Sequence, residues 1–272
     1  MQCNKFCRCI SAVFKLKFVS ESNHYKAFDG LRGFAAISVV LFHIGHWLGV
    51  PWLATNSGLA VDLFFCLSGY VMVLAYGACL KESMTLAKFA RVRLVRLMPM
   101  ILLGLLISIL YSVISIFAKH EPVDQLALAL AFLLAMVNLP YLHAPTSIGG
   151  PQVFPLNGPQ YSLFLELAAN FVWALLRRID GLVLSLSLTV VSFALMLLFP
   201  GGGDETATFW QGIPRVCTSF CLGVALFFAD ARFLQGRAAG SRLWHWLFWI
   251  SVVAMVVIFY TPVPLHALSQ WL

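Results

Sequence analysis

The sequence predicts an all-α protein, a polytopic bundle of transmembrane helices with about eight apolar segments, and three observations carry that reading. Of 272 residues, 61% are hydrophobic and only 11% are charged, against about 25% charged in an ordinary soluble domain. Mean hydropathy is +0.88, and the apolar residues come in runs near the ~20 residues needed to cross a hydrocarbon layer. Lys and Arg gather at the ends of those runs, where the positive-inside rule puts them. A soluble enzyme is excluded, because 8 Trp and 23 Phe would leave long apolar stretches facing water. The net charge of +7 does not indicate a nucleic-acid partner. Such a binder gathers its cations on one solvated face of a folded domain, and here they stand between apolar runs. The partner this composition implies is the lipid bilayer.

Taken in order, the apolar runs are 31–50, 57–80, 97–118, 123–142, 161–176, 182–199, 213–229 and 243–260. A Pro/Gly-rich stretch separates the fourth from the fifth, and short connections hold most of the remaining Gly, Pro and charge. Lys15, Lys17, Lys26 and Arg32 precede or open the first run, and Lys81, Lys88, Arg91, Arg93 and Arg96 connect the second to the third. Both clusters belong in the cytoplasm, which makes this a multi-pass protein of the cell (inner) membrane with a cytoplasmic N-terminus. Arg177 and Arg178 fall on that same side if the third or fourth segment does not cross fully, and this solution is preferred. The seven cysteines have neither zinc-finger spacing nor a disulfide framework, so free thiols and no metal site are expected.

Ionisable groups inside the membrane are costly, so they mark candidate chemistry. Arg32 and His43 are eleven residues apart, close to three helical turns and about 16 Å of rise, so they share a face. A neutral imidazole at depth is suited to take a proton from an attacking hydroxyl. Arg93 and Arg96 share a face at i, i+3, and guanidinium forks hold phosphates bidentately. Glu166 and Asn170 share a face at i, i+4, which puts a carboxylate and an amide together within a span. Asp62 is buried in another run, with Ser68 and Gly69 below it; Ser68 has no base beside it in sequence. Bland alternatives stand beside each reading: His43 bonding a neighbouring helix, Arg32 snorkelling, the arginine pair anchoring in anionic lipid, and the Ser-Gly pair serving close helix packing.

Together these pieces resemble the acyltransferase-3 family of integral membrane O-acyltransferases, which includes the O-antigen and Nod-factor acetyltransferases. Phe28-Asp-Gly-Leu-Arg-Gly-Phe-Ala-Ala followed by His43 is similar to its opening motif, and Gly58-Leu-Ala-Val-Asp-Leu-Phe-Phe-Cys-Leu-Ser-Gly-Tyr70 to its second-helix motif. Arg93-Leu-Val-Arg96-Leu-Met-Pro99 resembles its third motif, and Asn157-Gly-Pro-Gln-Tyr-Ser-Leu-Phe-Leu-Glu166 its later one. The resemblance implies transfer of an acyl group, commonly acetyl, from acyl-CoA to a hydroxyl of a cell-surface or exported glycan or glycolipid. It implies His43 as base or acyl relay, Arg32 as its partner, Arg93 and Arg96 on the CoA phosphates, and Glu166 as orienter or acceptor ligand, with no metal. It divides the chain into a basic tail, 1–24, and an acyltransferase domain, 25–272, expected to be C-terminally incomplete. Tyr161 stands where the family usually has Trp. The rival readings are an inactive relative or a non-enzymatic transporter, although no repeated halves of the transporter kind are visible.

Overall fold

The computed structural model describes residues 23–50, 52–119, 123–179, 181–199, 201–234 and 242–261. Within them the chain is helical and has no strand. The helices are α1 (Asn23–Trp47), α2 (Gly58–Glu82), α3 (Leu86–Lys119), α4 (Gln125–Met136), α5 (Gln160–Leu175), α6 (Leu182–Leu198), α7 (Gly212–Ala229) and α8 (Arg242–Tyr260). Four of these regions, Phe28–Trp47, Gly58–Glu82, Leu86–Ile116 and Phe209–Arg232, are long and apolar enough to cross a membrane. The basic tail expected at the N-terminus, with Cys3, Cys7 and Cys9, lies outside the described residues up to position 22.

Two boundaries differ from the sequence reading, each for a local reason. α3 begins at Leu86 and carries Arg91, Arg93, Arg96 and Pro99 inside the helix. Arginine is a good helix former, and the i→i−4 bond that Pro99 removes is a loss that membrane helices tolerate. The fourth segment forms only the 12-residue α4. Asp124 starts it by accepting the Leu126 and Ala127 amides at 3.0 Å each. It ends where Asn138 turns to φ 55°. Its buried face, Ala127, Ala131 and Ala135 at i, i+4, i+8, packs against Ile101 and Leu105 of α3. An alanine face lets two helices approach closely.

The centre of the bundle is the α2–α7 pair. A Cβ on Gly69 would stand 2.1 Å from the Phe220 carbonyl oxygen, and one on Gly223 would stand 1.8 Å from that of Cys66. Backbone therefore lies on backbone at two levels of this contact. α6 packs against α7, and Ser185 and Ser192 are its buried residues. In contrast, Leu102, Leu103, Leu106, Ile107 and Leu110 of α3 are exposed, as expected of a helix whose outer face is solvated by lipid.

The core also sorts the helix ends. Tyr76, Leu80 and Met84 at the end of α2 meet Phe89 of α3, Trp173 and Ala174 of α5, Leu184 of α6 and Phe227 of α7. Phe28 of α1 reaches the same end through Tyr70, whose ring also meets Phe227. The Lys81–Arg96 cluster, Arg177, Arg178 and Arg232 flank these contacts and so share one end of the bundle. At the opposite end the loops 137–159 and 199–211 are tied together. The Val153 amide donates to the Asp204 carbonyl at 2.7 Å and the Thr206 amide to that of Pro151 at 3.0 Å.

Among the described cysteines, Cys66, Cys217 and Cys221 are free thiols.

Replacing Gly223 by Ala is expected to cost about 1–3 kcal/mol through overpacking, seen as a lower melting temperature in detergent. Gly33→Ala, whose Cβ would meet nothing within 4 Å, serves as the control and should melt no lower than the native chain.

Candidate active site

Three helices each contribute a polar side chain to one buried point. Arg93 comes from α3, Ser68 from α2, and Glu166 with Asn170 from α5. Arg93 Nη2 donates to Asn170 Oδ1 at 2.5 Å and to Ser68 Oγ at 3.4 Å, and lies 3.7 Å from Glu166 Oε1. Ser68 Oγ donates to Glu166 Oε1 at 2.6 Å. Asn170 Nδ2 donates to Ser68 Oγ at 3.3 Å and to the Glu166 carbonyl at 2.7 Å, the second bond reaching back one helical turn. Arg93 also sits 5.8 Å from the centre of the Tyr76 ring, within cation–π range. Arg93 is 7% exposed and Asn170 1%, a burial that a guanidinium sustains only with its charge balanced and its donors engaged.

The remaining predicted cations, Arg32 and Arg96, are within electrostatic reach of this point. Glu166, Arg96 and Asp29 all act electrostatically on Arg32, and Arg96 and Arg32 act on Arg93. Arg32 also faces the Asp29 carboxylate at 4.0 Å, one turn earlier in α1. Arg96 is exposed, whereas Arg93 is buried. The structure thus brings Arg32, Arg93, Arg96 and Glu166 into one electrostatic cluster with more positive than negative charge, a field suited to an anionic ligand.

His43 lies elsewhere. It lines an apolar groove of about 580 Å³ with Val40, Ile44, Trp47, Leu48 and Pro159. Pro159 immediately precedes α5, and Glu166 lies two turns into that helix. α1 and α5 therefore run in opposite directions past each other, with Arg32 near Glu166 and His43 near the start of α5. Among the described residues, no three His, Cys, Asp or Glu side chains are grouped to hold a metal ion.

The structure supplies partners that the sequence left unassigned. Ser68 has Glu166 beside it, brought from 98 residues away. Asp62 is paired with Arg215 of α7, Nε–Oδ1 at 3.0 Å and Nη2–Oδ2 at 2.9 Å. Ser219 donates to Asp62 Oδ1 at 3.2 Å, and Arg215 Nη2 to the Gly58 carbonyl at 2.9 Å. Arg215 was not singled out in the sequence. A signal was present, since it is an arginine at the start of an apolar run, at the end away from the other cations, matching the position of Asp62 near the start of its own helix. Tyr161, at the motif's usual Trp position, stacks edge-on against Phe209 at 5.9 Å. Its hydroxyl occupies the space that a Cβ on Gly212 would need.

A helix bundle with apolar spans and a buried Arg–Glu–Ser–Asn cluster beside further arginines is the build of a membrane-embedded protein with a polar site in its interior. The acyltransferase domain family matches residues 25–271, and the chain belongs to this acyltransferase-3 family, an O-acyltransferase by class. Protein 2 in the picA locus of Rhizobium radiobacter is 35% identical over 162 residues, covering 57% of this chain and 83% of that protein. The O-acetyltransferase OatA of Staphylococcus aureus strain NCTC 8325 is 29% identical over 102 residues, 37% of this chain and 16% of OatA. The peptidoglycan O-acetyltransferase OatA of Listeria monocytogenes is 34% identical over 87 residues, 31% of this chain and 13% of that protein. No solved structure matches.

The Asp62–Arg215 pair, with side chains 18% and 11% exposed, yields a stability prediction. Asp62→Asn leaves a buried guanidinium uncompensated and should cost about 3–5 kcal/mol. The double variant Asp62→Asn/Arg215→Met should recover part of that loss, read from heat-induced aggregation of the detergent-purified chain.

Proposed function

We propose that this protein transfers an acetyl group from acetyl-CoA, bound from the cytoplasmic side, to a hydroxyl of a cell-surface or exported glycan or glycolipid. The observation that carries the proposal is the grouping of Arg32, Arg93, Arg96 and Glu166 at one level of the bundle, with His43 further along α1 in a groove at the other. The names of the Staphylococcus and Listeria relatives, an O-acetyltransferase and a peptidoglycan O-acetyltransferase, support the reaction and the type of acceptor. Collection of the basic residues at one end supports an inner-membrane protein with that end and the N-terminus in the cytoplasm. In this reading residues 25–272 form the acyltransferase domain, and the shorter apolar helices complete a bundle of about eight segments.

The chemistry asks little of the protein, because a thioester is already activated. It needs a cationic site for the CoA phosphates, a base for the acceptor hydroxyl, and stabilisation of the carbonyl oxygen as charge develops on it. Arg96 offers its exposed fork to the phosphates, with Arg93 behind it adding charge. His43 takes the acceptor's proton as the new C–O bond forms and returns it to the departing sulfur. The C–S bond then breaks and CoA leaves as the thiol. Arg32 holds the donor against Glu166, and Glu166 orients the acceptor.

His43→Ala should abolish acetyl transfer while membrane insertion stays unchanged. Mass spectrometry of alkali-labile acetyl esters on envelope and exported glycans, in cells with the native chain, the variant or neither, reads this directly. Esters persisting with His43→Ala at equal expression would defeat the assignment. Arg96→Ala should chiefly raise KM for acetyl-CoA, by about tenfold for one lost charge-assisted phosphate contact, in membranes supplied with labelled donor.

A further inference from the structure

Ser68 invites two roles, nucleophile or support, and its hydrogen bonds decide between them. A serine hydroxyl has one proton to donate and two lone pairs to offer. Here the proton goes to Glu166 Oε1 at 2.6 Å, and the oxygen is approached by Asn170 Nδ2 at 3.3 Å and Arg93 Nη2 at 3.4 Å. A nucleophile needs a lone pair directed at a carbonyl carbon, and both of these point into the protein. Glu166 presents the opposite picture. Its Oε1 takes the Ser68 hydroxyl and faces Arg93, while Oε2 has no hydrogen bond to any described residue. Its side chain is 24% exposed where that of Arg93 is 8%, and its charge reaches Arg32 on α1.

Resting on the acyl-transfer reading above, we propose that Ser68 is a positioning residue. With Asn170 and Arg93 it commits one oxygen of Glu166 to the protein and leaves Oε2 to receive a hydrogen-bond donor of the substrate beside Arg32. The donor chemistry is an O–H or N–H, supplied either by a hydroxyl of the acceptor other than the one acylated or by an amide of the pantetheine arm. Packing fixes Ser68 in place. Its neighbour Gly69 lies against the Phe220 carbonyl of α7, so the following position along α2 is held against one helix while Ser68 faces α5.

The test is a double-mutant cycle on acetyl transfer, with rates expressed per correctly folded chain from fluorescence-detected size exclusion. Ser68→Ala should lower the rate about 10- to 100-fold, the scale of one hydrogen bond to a charged group. In a Glu166→Gln background the same change should alter it by less than about twofold, because a residue acting through Glu166 has nothing left to position. Ser68→Thr and Ser68→Val differ by a hydroxyl for a methyl. Retained transfer in the first and loss in the second ties the effect to the hydroxyl even where Ser68→Ala folds poorly. A rise in KM for acetyl-CoA in Ser68→Ala identifies the pantetheine amide as the donor to Oε2, and a rise in KM for the acceptor identifies the hydroxyl. Losses that multiply across the cycle, or an acetyl group recovered on Ser68 after incubation with labelled acetyl-CoA, would overturn the proposal while leaving the acyl-transfer reading intact. A native chain that forms no ester would bring down both.

Discussion

A guanidinium cannot be moved into an apolar bundle unless its charge and its donors are met, and Arg93 shows what meeting them entails. Its partners come from α2, which a short turn joins to α3, and from α5, which lies much further along the chain, so its burial requires that three helices converge at one level. Ser68, Glu166 and Asn170 are then fixed by the same bonds that make Arg93 tolerable. The cluster that gives the protein its candidate chemistry is thus also what sets the relative positions of α2, α3 and α5. Breaking one bond in such a network leaves a buried group unsatisfied, and that cost exceeds the net gain of the bond itself.

The rest of the bundle keeps that convergence in register. Gly69 and Gly223 bring the α2 and α7 backbones together, and the Asp62–Arg215 pair ties the same two helices nearer the opposite end. Between these contacts α2 has little freedom to rotate, so Ser68 stays directed at α5. In a bilayer, where lipid tails are as apolar as leucine, such close backbone packing and polar ties replace the hydrophobic drive that holds a soluble core.

Much of this was legible in the sequence because membrane segments announce themselves by length, hydropathy and flanking charge. The helical class, the common end of the basic clusters, and Arg32, Arg93, Arg96 and Glu166 as noteworthy groups all follow from such local signals. The short α4 was not legible: Asp124 caps it and Asn138 ends it, yet hydropathy alone reads 123–142 as continuous. Nor were the pairings Ser68–Glu166 and Asp62–Arg215, whose partners stand about 100 and about 150 residues apart. Helical spacing relates residues on one helix and says nothing about which helix lies opposite. The difference between Arg93 and Arg96 was hidden for the same reason, since one faces the bundle's interior and the other leaves it.

The backbone contact between α2 and α7 also bears on motion. Two helices touching at glycines have no side-chain layer to shear across, and α6 backs α7, so this part of the molecule behaves as a rigid slab. α1 is attached differently, through the Ser57 hydroxyl to the Ser38 carbonyl, Ser38 to Tyr260 and stacked rings such as Phe34 on Phe259, contacts that slide or re-form at small cost. Arg32 and His43 therefore ride on the compliant element, while Ser68 belongs to the stiff one. Through Ser68, one oxygen of Glu166 is referenced to that slab and not to α1.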